Sequence, residues 1–169
     1  DQAESCVVNR GAVVEGGRID GGLAVELQRA RQDGGLARTA EKLGQGVAQL
    51  KVGNGMDPAT QIGPVVSSGQ LDRVLGYLEL GQKEGARALS GGQRLSGGEY
   101  DKGYFVPPTV FAGVNDAMTI AREEIFGPVI SALPFEDMDD LVKRANDTPF
   151  GLGSGVWTKD VSKAHRMAG

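Results

Sequence analysis

The sequence predicts an α/β protein with a parallel sheet. Past residue 118, short apolar stretches alternate with amphipathic segments of about ten residues, the pattern of strands joined by crossover helices. The composition, 40% hydrophobic and 24% charged, is that of a globular domain, and 169 residues suit one core rather than two. The 27 glycines, several in pairs, predict frequent turns.

The elements follow in order. Residues 22–50 carry Leu23, Leu27, Ala30, Leu36, Ala40, Leu43 and Val47 at helical spacing. Gly34-Gly35 interrupts them, so two helices or one broken helix are expected. Residues 53–64, rich in Gly, Asn, Asp and Pro, read as loop. Ser67 or Ser68 offers an N-cap to a helix over 69–84 whose apolar face is Leu71, Val74, Leu75 and Leu78. Residues 86–89 read as a short strand closed by Gly91-Gly92. Residues 104–106 and 109–111 flank Pro107-Pro108, which predicts an edge strand or extended loop. A short helix over 118–124 and a strand over 129–135 come next. The helix over 136–146 has Met138, Leu141, Val142 and Ala145 as its core face. A second strand is expected over 153–158, then a helix over 160–168 with Val161, Ala164 and Ala168 inward. Nothing marks a linker.

Charge and cysteine usage exclude several classes of function. The net charge is −4, with both signs mixed along the chain, which argues against a nucleic-acid or anionic-membrane surface. No apolar run approaches the ~18 residues of a membrane helix. The start, Asp1-Gln2-Ala3-Glu4-Ser5-Cys6, has neither the basic nor the apolar region of a signal peptide. One cysteine cannot form an internal disulfide, and with one histidine it cannot close a zinc site, so no metal is expected. A reducing, cytoplasmic home is the expectation.

Chemistry is concentrated at two places. Cys6 is the only thiol. A lone cysteine is more often a buried, inert residue than a nucleophile, and no histidine base stands near it in sequence. The single histidine, His165, sits among Lys163 and Arg166 and reads as a solvated helix residue. The second place is Glu123-Glu124-Ile125-Phe126-Gly127-Pro128. Two carboxylates at a helix C-terminus face the negative end of the macrodipole, so local stability does not select them. A carboxylate followed two positions later by an aromatic ring can instead serve a ligand, accepting adjacent ribose hydroxyls while the ring lies against a flat heterocycle.

These residues carry a resemblance. The stretch from Met118 to Val129, containing Glu123-Glu124-Ile125-Phe126-Gly127-Pro128, closely resembles a hallmark of the aldehyde dehydrogenase superfamily. So does the stretch from Gly103 to Phe111. Ala145 to Leu152, continuing to Val156-Trp157-Thr158-Lys159-Asp160, is similar to the family's next block. Leu50 to Gly53, Asp57-Pro58, Gly63-Pro64 and Gly76-Tyr77 fall in family order, and Glu4-Ser5-Cys6 resembles the active-site stretch. Ala3 departs from the family's glycine, Asp1 from its common asparagine, and residues 16–46 are longer and richer in glycine than the matching helix.

The resemblance implies an NAD- or NADP-dependent aldehyde dehydrogenase. Cys6 is then the nucleophile, Glu124 holds the nicotinamide ribose, and Phe126 lies beside the nicotinamide. Gln70 and Arg73 match positions facing the adenosine ribose. The thiolate adds to a small-molecule aldehyde, hydride leaves for the cofactor, and water releases the acid from a thioester. Residues 1–169 match part of the catalytic domain, a three-layer parallel-sheet unit left incomplete. The family's dinucleotide-binding sheet, general base and oxyanion-hole asparagine all precede its cysteine. Alone, the chain is therefore expected to be inactive, and a full-length enzyme to be a homo-oligomer. Glu124 is expected, partly exposed, at the carboxyl end of the sheet, where open α/β sheets place ligands. Two other readings remain open: a non-catalytic structural or interaction protein reusing the fold, and a relative that passes its thioester to coenzyme A.

Overall fold

The structure, a computed structural model, describes residues 36–168 apart from 154, 157 and 159. Cys6 and the helical segment expected before Gly34-Gly35 lie outside the described residues.

Helix α1 (Leu36–Ala48) buries Ala40, Leu43 and Val47, the stripe its spacing predicts. The loop that follows is pinned by a parallel bridge between Val52 and Ile62 and by the Lys51–Asp57 ion pair at 2.7 Å. Helix α2 (Ser68–Lys83) starts where expected, because the Ser67 hydroxyl accepts the Gln70 N–H at 3.2 Å. Leu71, Val74 and Leu78 are its buried face, with Leu75 half-buried beside them. The helix ends on Gly85, at φ 102°. There the Ala86 and Gly85 N–H groups return to the carbonyls of Gly81 and Gln82, which satisfies two acceptors of the last turn.

Three strands form one sheet in the order β1 (Arg87–Ser90), β2 (Thr109–Ala112), β3 (Val129–Ser131). The β2–β3 pair is parallel and joined through the one-turn helix α3 (Thr119–Arg122), the crossover the alternation predicts. Strand β1 joins antiparallel, so the sheet is mixed. Successive residues of β2 point to opposite faces. Val110 meets Leu43 and Val47 of α1, whereas Phe111 meets Val74 and Leu78 of α2 and Ile120 of α3. Helices therefore cover both faces of the sheet, and the described part has three layers.

Some sequence expectations are corrected. The stretch after Pro107-Pro108 is the central strand, not an edge. Both prolines precede the first paired residue, and the Thr109 N–H, which donates to the Pro128 carbonyl at 2.8 Å, is the first the sheet requires. Strand β3 ends at Ser131 instead of 135. One further bond follows, Ala132 N–H to the Phe111 carbonyl at 2.8 Å, before Pro134 withdraws the chain. None of the described residues in 153–158 is in a strand. A strand exists only where a neighbour pairs with it, and no described strand lies alongside. Helix α4 (Met138–Asn146) keeps its predicted face, with Leu141 buried and Met138, Val142 and Ala145 half-buried. In helix α5 (Val161–Ala168) Val161 is 68% exposed, not inward. The Asp160 carboxylate accepts the Ser162 and Lys163 N–H groups, which makes Val161 the outward first residue of the helix. His165 is exposed, as expected.

Candidate active site

The short helix α3 ends at Arg122, earlier than its expected end at 124. Glu123 adopts extended backbone (φ −111°, ψ 151°), and its N–H closes the turn on the Thr119 carbonyl. Both carboxylates therefore leave the helix, and residues 123–128 cross the surface of α2 as a turn that feeds β3.

Side chains on one stripe of α2 hold this turn. Gln70, Arg73 and Tyr77 stand at i, i+3 and i+7, one face of a helix. The Tyr77 hydroxyl donates to Glu123 Oε2 at 2.6 Å. Arg73 donates to the Glu124 carbonyl at 3.2 Å, and the Gln70 amide to the carbonyls of Phe126 at 2.7 Å and Ile125 at 3.3 Å. Moving toward the N-terminus of α2 thus tracks the turn toward its C-terminus, so the two run antiparallel. Ile125 is buried in the core beneath. Gly127 lies so close to the helix that an added Cβ would stand 2.6 Å from a methyl of Val74.

Two groups are left facing outward. The Glu124 carboxylate is half-buried and makes no hydrogen bond or ion pair with any described residue, although its own carbonyl touches Arg73. Phe126 is 62% exposed and sits at φ 55°, the one non-glycine at positive φ among the described residues. A left-handed residue with a Cβ costs roughly 1–2 kcal/mol and persists only where its surroundings impose it. The Gln70 bonds to both flanking carbonyls do so here. An uncommitted carboxylate with an exposed ring two residues on fits a ligand that offers vicinal hydroxyls next to a flat heterocycle.

The structure thus brings Gln70, Arg73, Glu124 and Phe126 together, with Gln70 and Arg73 bonded to the turn's main chain. It does not put the turn at the carboxyl end of the sheet. Residues 123–128 lead directly into β3, so they lie at the amino end of the parallel β2–β3 pair. Beside Glu123 opens a cleft of about 260 Å³, between Thr119 and Arg122 on one side and Asp147, Pro149 and Phe150 on the other. Two blocks matched separately in the sequence, 118–129 and 145–152, meet across it. Tyr77 and Glu123 were not singled out as a pair from sequence; the i, i+3, i+7 spacing of polar residues on α2 was the available signal. Among the described residues no cluster of His, Cys, Asp and Glu could hold a metal, and no helix is long and apolar enough to cross a membrane.

Comparison with known proteins decides the family. Residues 29–169 match the aldehyde dehydrogenase family. The chain belongs to that family. It is 50% identical over 134 residues to betaine aldehyde dehydrogenase of Brucella anthropi, an alignment covering 78% of this chain and 27% of that protein. Among solved structures, Mycobacterium tuberculosis aldehyde dehydrogenase complexed with NAD+ superposes with a TM-score of 0.74 at 44% identity. That superposition covers 79% of this chain and 27% of the other. A betaine aldehyde dehydrogenase of Staphylococcus aureus, also in complex with NAD+, superposes with a TM-score of 0.76 at 34% identity, over 79% and 27% of the two chains. This aldehyde dehydrogenase chain therefore spans about a quarter of the length of the curated relatives it matches.

Proposed function

We propose that this chain is the cysteine-bearing, catalytic-domain portion of an NAD(P)-dependent aldehyde dehydrogenase that oxidises an aldehyde to a carboxylic acid. One observation carries the reading: the Glu124 carboxylate, without a hydrogen bond or ion pair among the described residues, and the exposed Phe126 ring share one turn, braced from α2. The dinucleotide, when bound, supplies the hydride acceptor. Glu124 accepts hydrogen bonds from the ribose hydroxyls and Phe126 offers its face to the nicotinamide. Gln70 and Arg73 complete this wall, Gln70 with an amide oxygen that accepts no bond among the described residues and Arg73 with its further N–H donors. Cys6 supplies the thiolate, whose addition to the carbonyl carbon makes the hemithioacetal; loss of hydride leaves a thioester that water cleaves to the acid and free thiol. The solved relatives complexed with NAD+ support the choice of cofactor class. A small-molecule aldehyde as substrate, a cytoplasmic home and a homo-oligomeric full-length enzyme belong to the same proposal.

The test is made in the full-length enzyme. Cys6→Ser is expected to abolish turnover. Glu124→Gln should slow single-turnover hydride transfer by the equivalent of about 1.5–3 kcal/mol, one charge-assisted hydrogen bond. Phe126→Ala should weaken NAD+ binding while leaving stability within about 0.5 kcal/mol, because its ring is mostly in solvent. The 169-residue chain alone is expected to neither bind NAD+ at millimolar concentration nor turn over. Wild-type hydride transfer in Glu124→Gln would remove Glu124 from the site.

A further inference from the structure

We propose that Tyr77 and Glu123 form a latch that positions the turn bearing Glu124 and Phe126, so that Tyr77 governs cofactor binding without touching the cofactor. The inference rests on the roles just proposed for Glu124 and Phe126. Its geometric basis is a relay of hydrogen bonds across the surface of α2. Arg73 lies over the Tyr77 ring, its guanidinium carbon 5.6 Å from the ring centroid, and donates to the Tyr77 oxygen at 3.4 Å. The hydroxyl in turn donates to Glu123 Oε2 at 2.6 Å, the shortest link of the three side chains. Glu123, in extended backbone, and Glu124 are consecutive residues of the turn, so a tie at one restrains the main chain that carries the other. Tying Glu123 down onto α2 therefore fixes the backbone from which the Glu124 carboxylate projects. Arg73 holds the same stretch one residue on, reaching the Glu124 carbonyl without an ion pair to its carboxylate. The Glu123 hydrogen bond, and after it burial, also raise the Tyr77 pKa above the ordinary phenol value, the direction expected when the hydroxyl is the donor of the pair.

A tie between a half-buried phenol and an exposed carboxylate contributes little to global stability. Its effect should instead fall on the presentation of Glu124, which separates a positioning role from a structural one. In the full-length enzyme, Tyr77→Phe keeps the ring and the Arg73 guanidinium over it, and removes the tie to Glu123 together with the long Arg73 bond to the hydroxyl. The expected result is an unchanged urea midpoint, with the dissociation constant for NAD+ by calorimetry raised about tenfold and single-turnover hydride transfer slowed to match. Glu123→Ala should behave in the same way. Glu123→Gln, which keeps an acceptor oxygen, should stay within about twofold of wild type. The double variant Tyr77→Phe/Glu123→Ala should be no worse than either single change, because both break one interaction. The absorbance titration difference between wild type and Tyr77→Phe should show Tyr77 ionising above the ordinary phenol range, and the matching difference in the Glu123→Ala background should show it moved down. Wild-type NAD+ affinity in Tyr77→Phe and Glu123→Ala, alongside weakened binding in Glu124→Gln, would overturn the latch and leave the Glu124 site standing. If Glu124→Gln also binds NAD+ and transfers hydride normally, the site and the latch fall together.

Discussion

Helix α3 is a single turn, too short to stabilise itself, and Met118 at its N-cap position has no side-chain acceptor for the free N–H groups. The acceptor comes from another helix. Glu84, the C-cap residue just after α2, takes the Thr119 N–H on Oε2 at 2.7 Å and the Thr119 hydroxyl on Oε1 at 2.6 Å. Glu84→Ala would leave both donors without this partner in a half-buried position. Each bond to a charged acceptor contributes about 1.5–3 kcal/mol, but the two share one carboxylate and water can reach part of the site, so a total loss of roughly 2–3 kcal/mol follows. Glu84→Gln retains an acceptor for the N–H and should lose about 1 kcal/mol. Urea denaturation of the full-length protein, with the slope held constant between variants, reads the difference. The double change Glu84→Ala/Thr119→Val should recover part of the Glu84→Ala loss, since one stranded donor is gone. A Glu84→Ala midpoint within about 0.5 kcal/mol of wild type would mark Glu84 as an ordinary surface residue and refute the reasoning.

Two further predictions test the packing of the turn and the loop after α1. Gly127→Ala should cost about 1–3 kcal/mol through overpacking, because the Val74 methyls it meets belong to a fully buried side chain. Trimming the neighbour in Gly127→Ala/Val74→Ala should return part of that loss, and no cost in the single variant would contradict the close approach. The Asp57 carboxyl titrates below the ordinary range, first because Lys51 hydrogen-bonds it and then because the Ala59 N–H does. With the folded-state pKa depressed, its contribution is present above the unfolded value and lost as pH falls through the folded value. NMR titration should show Asp57 moving up in Lys51→Met; an unmoved curve would exclude the pair in solution.

The helices were legible because their signal is local. The three-, four- and seven-residue spacing of Ala40, Leu43 and Val47, and of Leu71, Val74 and Leu78, became buried faces without further information. Ser67 is a cap wherever the next residues are helical. The strands were found, but their neighbours were not, because pairing is set by residues far apart in sequence. Pro107-Pro108 correctly barred sheet bonding at their own positions. Nothing local told that Val110 would be paired on both sides, with Ser90 in β1 and Ile130 in β3.

The site divided along the same line. Glu123-Glu124 drew notice because two acids at the end of a helix oppose its dipole, and the fold resolves that conflict by ending the helix before them. What the sequence could not convey was the direction of the turn. Its place at the amino end of β2 and β3 follows from α3 feeding straight into β3, whereas the general rule for open sheets pointed to the opposite end. Gln70 and Arg73 were located by resemblance, yet their partners in the structure are main-chain carbonyls, at Phe126 and Glu124. Such partners have no sequence signature, because every residue carries a carbonyl. Tyr77 was hidden for a related reason: a polar residue on a half-exposed helix face is unremarkable until a second segment lies across it. Residues that act by holding another segment in place are therefore the part of a site that sequence reports least, and a substitution that preserves shape, such as Tyr77→Phe, is the change most able to expose them.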